Sequence, residues 1–278
     1  MVHCQNMNIL IDIGNTSCKV AFCPAHPSER LAGADVMRFA TQKESISYVR
    51  HRLERHKADN IVLSNVRNRS LYLEKMLERK CGNFINFDED FVKDLIGKIK
   101  PAPSDPLTVL SHMPLGMGAD RMAAIFGAEV LYPLQDKLVF DFGTATTVEF
   151  IDAARDEKDP SVVYPYYRGG SISLGLRTRY RALSHYTAKI PYLNPDDFLD
   201  SHDINSIDSV GYDLDTALAA GNILGIMFEI KGYVAAHPQR KLILTGGNSA
   251  RFAEGLDGKA TVEQDLVLIG LEAILELL

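Results

Sequence analysis

Four side chains able to hold a phosphate group and its metal fall in one short stretch of the chain, ILIDIGNTSCKVAF over Ile9–Phe22. The apolar run Ile9-Leu10-Ile11 leads to Asp12, and Asn15, Thr16 and Lys19 follow within a turn that contains Gly14. A carboxylate delivered by a buried strand can face a cation, while amide, hydroxyl and ammonium donors beside it hold anionic oxygens. The backbone of Ile13, Ser17 and Cys18 adds further N–H donors to the set. Such a turn suits Mg²⁺ and the phosphates of a nucleotide. The same residues also fit an ordinary Asn-containing hairpin with an exposed Asp. A second copy favours the first reading: KLVFDFGTATTVEFI, over Lys137–Ile151, again sends an apolar run into Asp141, then Gly143 and Thr144. Two strand-Asp-x-Gly hairpins in one chain imply internal duplication. A third glycine turn, in LILTGGN over Leu242–Asn248, follows an apolar run with Gly246 and Gly247 and precedes a helical stretch. That is a strand-to-helix turn fit to cradle a phosphate or nucleoside.

The elements around these turns read as mixed α and β. Cys18, Val20 and Phe22 alternate as the return strand of the first hairpin, Pro24–Gly33 is a polar loop, and Val36–Phe39 continues as a strand. Thr41 and Glu44 form a capping box for a helix carrying Ile46, Val49 and Leu53. A strand at Asn60–Val66, a helix at Ser70–Cys81 and a strand at Asn83–Phe87 give the order β-β-β-α-β-α-β, which fits a ribonuclease-H-like domain. After a helix over Asp88–Ile99, Pro101, Pro103 and Pro106 mark a loop or boundary. We therefore expect two domains, 1–116 and 117–278. Across that boundary runs Met113–Arg121, where Asp120 sits near the start of a helix with Met122, Ile125, Phe126 and Val130 on one face. An Asp there is commonly a cap or dipole partner, but two glycines before it and Arg121 after it also leave room for a substrate and supply an anion receptor. Val162–Tyr167 reads as a strand and Gly169–Gly175 as a glycine segment permitting close backbone approach. Arg177, Arg179 and Arg181 read as a solvated helix face. A long helix over Asp213–Ala236, apolar on much of its circumference, reads as buried and as a subunit interface. A helix from Ser249, a strand at Thr261-Val262 and a terminal helix close the chain.

At 278 residues the chain can build two modest cores, and 46% apolar with 24% charged residues is ordinary globular composition. A net charge of −6 without a long basic cluster argues against nucleic acid as a main partner. The start, MVHCQNMNILID, has no basic, apolar and small-residue signal pattern, and no run of apolar residues is long enough to span a bilayer, so a cytoplasmic location without membrane attachment is expected. Cys4, Cys18, Cys23 and Cys81 form no Cys-x-x-Cys pair and are expected to be reduced thiols.

Asp-x-Gly-Asn-Thr, Asp-x-Gly-Thr-Ala-Thr and Thr-Gly-Gly in this order resemble the actin, Hsp70 and sugar-kinase superfamily of ATP-using proteins. More closely, IDIGNTxxK, GADR over Gly118–Arg121, DFGTATT, GGSISLGL and the Thr-Ala-x-Ile-Pro of Thr187–Pro191 resemble the type III pantothenate kinases, in that family's order and across nearly the whole chain. The resemblance implies an α/β fold of two ribonuclease-H-like (actin-like ATPase) domains with a nucleotide cleft between them, and ATP-dependent phosphorylation of pantothenate, the first step of coenzyme A biosynthesis. It implies that Asp12 acts through Mg²⁺, that Ile13, Gly14, Asn15, Thr16, Ser17, Cys18, Lys19, Thr144, Gly246 and Gly247 bind ATP, and that Asp141 holds a monovalent cation, K⁺ or NH₄⁺. Asp120 would be the general base, Gly118, Ala119 and Arg121 would hold pantothenate, and Thr187 would reach the substrate from a neighbouring subunit of a homodimer. The chain departs from the family at Ser111–Pro114, where a tyrosine and an Asn-Pro pair are usual, at Leu214, and at Asn248. A non-catalytic accessory protein on the same scaffold, or a kinase for another small hydroxylated substrate, are the alternatives.

Overall fold

The structure is a computed structural model that describes residues 7–24, 30–54 and 57–278. Cys4 and residues 25–29 of the expected Pro24–Gly33 loop lie outside the described residues. Two compact units emerge: Met1–Leu134 with Ala154–Tyr166 and Leu266–Leu278, and Gln135–Ala153 with Tyr167–Asp265. The boundary expected at 116/117 falls inside the first of these. That unit therefore keeps the helix bearing Asp120 and takes back the end of the chain.

In the first unit β1 (Met7–Ile13), β2 (Cys18–Pro24), β3 (Asp35–Phe39), β4 (Ala58–Asn65) and β5 (Cys81–Asn86) form one sheet in the order β3-β2-β1-β4-β5. β1 runs antiparallel to β2 and parallel to β4, and β4 parallel to β5. Ile9, Leu10 and Ile11 are fully buried, as a central strand covered on both faces requires. Helices α1 (Gln42–Arg52), α2 (Leu71–Glu78) and α3 (Glu89–Ile99) connect and follow the strands. α1 starts where expected because Thr41 accepts from Glu44 N–H while Glu44 accepts from Thr41 N–H. The proline-rich segment is not all loop: Pro106–His112 winds into a 3₁₀ helix, with Asp105 accepting from Leu107 N–H and the proline at its start.

Helix α4 (Ala119–Leu131) packs along α9 (Leu266–Leu275), which is buried over nearly its whole length. The helices approach closely enough that a Cβ on Gly127 would stand 2.5 Å from the Leu266 carbonyl oxygen, and one on Gly270 would overlap the Ala123 carbonyl. Neither position can carry a side chain without moving a helix axis.

In the second unit β6 (Lys137–Phe142), β7 (Ala145–Arg155), β8 (Val163–Leu174), β9 (Lys241–Gly246) and β10 (Ala260–Val262) form a sheet in the order β10-β9-β6-β7-β8. β6 is antiparallel to β7 and parallel to β9, which is parallel to β10. Counted from β6, this is the arrangement of the first sheet over again, the topology of a duplicated ribonuclease-H-like fold. Asp12 and Asp141 are each the penultimate residue of the central strand. β8 continues through Gly169 and Gly170, and the close backbone approach expected of this segment is seen at Gly170, where a Cβ would collide with the Val148 carbonyl of β7.

Helices α5 (Leu176–Tyr186), α6 (Pro195–Ser201), α7 (Leu214–Ala236) and α8 (Ser249–Glu254) complete this unit. α7 begins on a capping box between Asp213 and Thr216 and packs Leu218, Ile223, Ile226, Met227 and Ile230 into the core with Phe140, Leu244 and Phe252. By length and composition it is the one helix among the described residues that could cross a membrane, but its packed face shows a core helix instead. Two of the three arginines of α5 are paired rather than simply solvated, Arg177 with Asp196 and Arg179 with Glu229 at 2.5 Å, while Arg181 stacks over Tyr192.

Gly270→Ala is expected to overpack the α4–α9 contact and destabilise the protein by about 1–3 kcal/mol, seen as a lower melting temperature. Gly97→Ala, in a helix with nothing within 4 Å of the added carbon, is the control and should gain about 0.5–1 kcal/mol.

Candidate active site

The first unit gathers its chemistry at the carboxyl ends of β1 and β4, where parallel strands leave a crevice for ligands. Asp12 is half-buried, lies across from Lys19 in the β1–β2 register and accepts from the Ser64 hydroxyl of β4 at 3.3 Å. The turn from β1 to β2 closes with Gly14 N–H donating to the Ser17 carbonyl at 3.0 Å, leaving Asn15, Thr16 and Ser17 exposed. Beyond β4, Val66 N–H donates to the Ile13 carbonyl at 3.2 Å. The neighbouring Arg67 donates from Nε to the Gly14 carbonyl at 2.9 Å and from Nη2 to the Asn15 carbonyl at 2.7 Å.

Val66 also meets the start of α4. A Cβ built on Gly118 would lie 3.8 Å from Val66 Cγ1 and only 2.7 Å from Asp120 Oδ1. Asp120, half-buried in the first turn of α4, accepts from Arg121 N–H at 2.7 Å, so the helix start orients the carboxylate. Ile13, Val66, Gly118 and Asp120 thus form a continuous line from the first acidic turn to the second acid. All of Asp12 to Lys19 and Gly118 to Arg121 belong to this one unit. The departing segment Ser111–Pro114 ends the 3₁₀ helix, and His112 packs its ring against Tyr166 and Tyr164, with centroids 5.0 and 5.9 Å away.

The second unit assembles Asp141, Thr144, Gly246 and Gly247 in the same topological place. Asp141 pairs in register with Thr245 of β9 and Phe142 with Gly246. Gly246 has a φ of 87°, and a Cβ there would come 2.5 Å from Asp141 Oδ1. Gly247 N–H donates to the Phe142 carbonyl at 3.1 Å. The Thr144 carbonyl is held by Gly175 N–H at 3.1 Å and by the Thr178 hydroxyl at 2.6 Å, tying the turn to the start of α5. Thr187 is not brought to this group. It caps the far end of α5, about 16 Å along the helix axis at 1.5 Å per residue, and is exposed, with its hydroxyl on the Leu183 carbonyl.

No group of three or more His, Cys, Asp or Glu among the described residues could hold a metal ion by itself. Burial makes the three described thiols less acidic than a free cysteine. Burial pushes Cys23 up to about 12, with Glu272 adding to the effect, and burial also raises Cys18 and Cys81. Cys18 therefore contributes backbone, not sulfur chemistry, to its turn. Residues that the motifs did not single out are Ser64, Arg67 and Thr178. Each lies just after or beside a motif and bonds the turn's carboxylate or its carbonyls.

A duplicated ribonuclease-H-like fold with an acidic turn at the end of each central strand is the architecture of the actin-like ATPase and sugar-kinase fold class. The sequence profile described as type III pantothenate kinase matches residues 8–236. Relatives named type III pantothenate kinase include those of Porphyromonas gingivalis, 31% identical over 98% of this chain and 99% of the relative, and Phocaeicola vulgatus, 31% identical over 97% and 98%. That of Bacteroides fragilis is 30% identical over 97% of both chains. The chain belongs to the type III pantothenate kinase family.

Gly118→Ala is expected to push the Asp120 carboxylate off Arg121 N–H. Pantothenate-dependent release of ADP should fall about tenfold or more, with folding judged intact by circular dichroism.

Proposed function

We propose that this protein transfers the γ-phosphoryl group of ATP to the primary hydroxyl of pantothenate, with Asp120 as general base, in the first step of coenzyme A biosynthesis. The observation that carries the assignment of roles is the contact of Val66 with both Ile13 and Gly118. It joins the phosphate turn to the base within one unit. Phosphoryl transfer asks the protein mainly for positioning and for relief of charge on the phosphates. Lys19 supplies a full positive charge, while Asn15, Thr16 and the backbone N–H groups of residues 13–18 bond phosphate oxygens. Asp12, steadied by Ser64, would face Mg²⁺ on the phosphates; the ion would supply further neutralisation of charge. Asp120 takes the hydroxyl proton as the oxygen attacks phosphorus, and its place at the start of α4 keeps it aimed. Arg121 pairs with the pantothenate carboxylate, and Gly118 and Ala119 let the substrate lie against the backbone.

In the second unit Asp141 would hold K⁺ or NH₄⁺. Its carboxylate beside the Gly246 backbone is a hard oxygen site suited to such a cation. Thr144, Gly246 and Gly247 would contact the nucleotide. The protein acts as a homodimer in which Thr187 reaches the neighbouring subunit's substrate. Support comes from the outward face of α7, where Ala217, Gly221, Phe228 and Gly232 are exposed and Phe228 is 59% accessible. It also comes from the distance of Thr187 along α5 from its own unit's turn. We assign the protein to the cytoplasm.

Asp120→Asn should lower kcat about 10²-fold or more with the KM for ATP nearly unchanged; turnover near the parent rate would overturn the base. Asp141→Ala should abolish the difference in rate between K⁺ and Na⁺ buffers. Mass detection of phosphopantothenate, against a panel of hydroxy acids and sugars, tests the substrate.

A further inference from the structure

Arg67 stands outside every motif, yet it makes two side-chain hydrogen bonds to the first acidic turn. Its Nε and Nη2 reach the carbonyls of two successive residues, Gly14 and Asn15, at 2.9 and 2.7 Å. Its own position is fixed: its N–H donates to Asn65 Oδ1 at 2.9 Å, and the preceding Val66 N–H is bonded to Ile13. The guanidinium is half-buried and always charged, and its rigid fork matches two adjacent carbonyl acceptors.

A peptide unit is planar and trans, so each carbonyl points opposite to the N–H of the next residue, and the described chain has no cis peptide bond. When Arg67 draws the Gly14 and Asn15 carbonyls to one side, the N–H groups of Asn15 and Thr16 face the other. Without that pull the turn could rotate its peptides and offer an anion carbonyl lone pairs instead. Glycine at position 14 makes such a rotation easy. We infer that Arg67 is a positioning residue that sets the peptide orientation of the phosphate turn, so that ATP meets N–H donors and not carbonyl oxygens. The inference rests on the reading of residues 12–19 as the phosphate turn. Arg67 does its work from behind that turn, on the face away from the nucleotide.

The test is a comparison of Arg67→Met, Arg67→Lys and Lys19→Ala, each measured for kcat, for the two KM values, for ATP affinity by calorimetry without pantothenate, and for melting temperature. Arg67→Met should raise the KM and the dissociation constant for ATP about ten- to a hundredfold, the scale of a misplaced binding group. The KM for pantothenate should stay within about twofold, since Arg121 and Asp120 lie on another element. Arg67→Lys should recover part of the ATP affinity, because one ammonium can reach one carbonyl but cannot match the fork. If Lys19→Ala weakens ATP binding and Arg67→Met does not, the inference is overturned and the reading of the turn survives. If neither variant changes ATP affinity, the reading of the turn fails and takes the inference with it. A rise of both KM values together in Arg67→Met, with a lower melting temperature and no recovery in Arg67→Lys, would make Arg67 a structural staple only and overturn the proposal.

Discussion

The first unit's site depends on a contact between two helix backbones. α4 carries Asp120 at its first turn, and α4 is set in place by α9, which returns from the far end of the chain to lie against it. Because Gly127 and Gly270 face each other's helices without a Cβ, the axes come closer than side chains would allow. Rigid helices displaced at such a contact carry the displacement along their length, so a fraction of an ångström at Gly127 is felt at the carboxylate two turns away. Asp120 is thus held by packing as much as by its own hydrogen bond to Arg121. Helix α9 is part of what fixes where that carboxylate points.

The two duplicated turns solve the same steric problem in opposite ways. In each unit a carboxylate ends the central strand, and the parallel neighbour supplies its support: Ser64 beside Asp12 and Thr245 beside Asp141. The difference lies in the residues just beyond the neighbouring strand. After β4 come Val66 and Arg67, a bulky pair that grips the turn by its carbonyls. At the end of β9 stand Gly246 and Gly247, which have no side chains and let the backbone itself press against Asp141 and Phe142. The first turn is braced from outside by a side chain, and the second is packed by bare backbone.

Both turns are legible in the sequence because each is local: an apolar run, an Asp, a Gly and a returning strand lie within about fifteen residues, and strand burial enforces the pattern. The capping box at Thr41 is legible for the same reason. The boundary expected at 116/117 rests on prolines, which record a break in helix but not which core the next helix joins; α4's partner lies in the last residues of the chain, and no local pattern announces a contact of that separation. At Gly170 the expected close backbone approach is local and legible: β8 needs a glycine where it runs against the carbonyl of Val148. Arg67 sits in SNVRNRS, a polar stretch with no period. The signal that could have found it is topological: β4 runs parallel to β1, so the residues after β4 must emerge beside the β1 turn.

The departure at Ser111–Pro114 shows why a motif lost in sequence need not leave a gap in space. The family's usual tyrosine is missing there, and a sequence comparison counts a lost aromatic contact. In the fold, the 3₁₀ helix that includes Ser111 turns His112 toward Tyr164 and Tyr166, residues from the 154–166 segment that joins the same unit. Aromatic surface is therefore present at the end of that helix, supplied from a strand some fifty residues further along the chain. Rings packed at about 5–6 Å hold one another in place, so Ser111–Pro114 is bordered by packed aromatic rings in this chain.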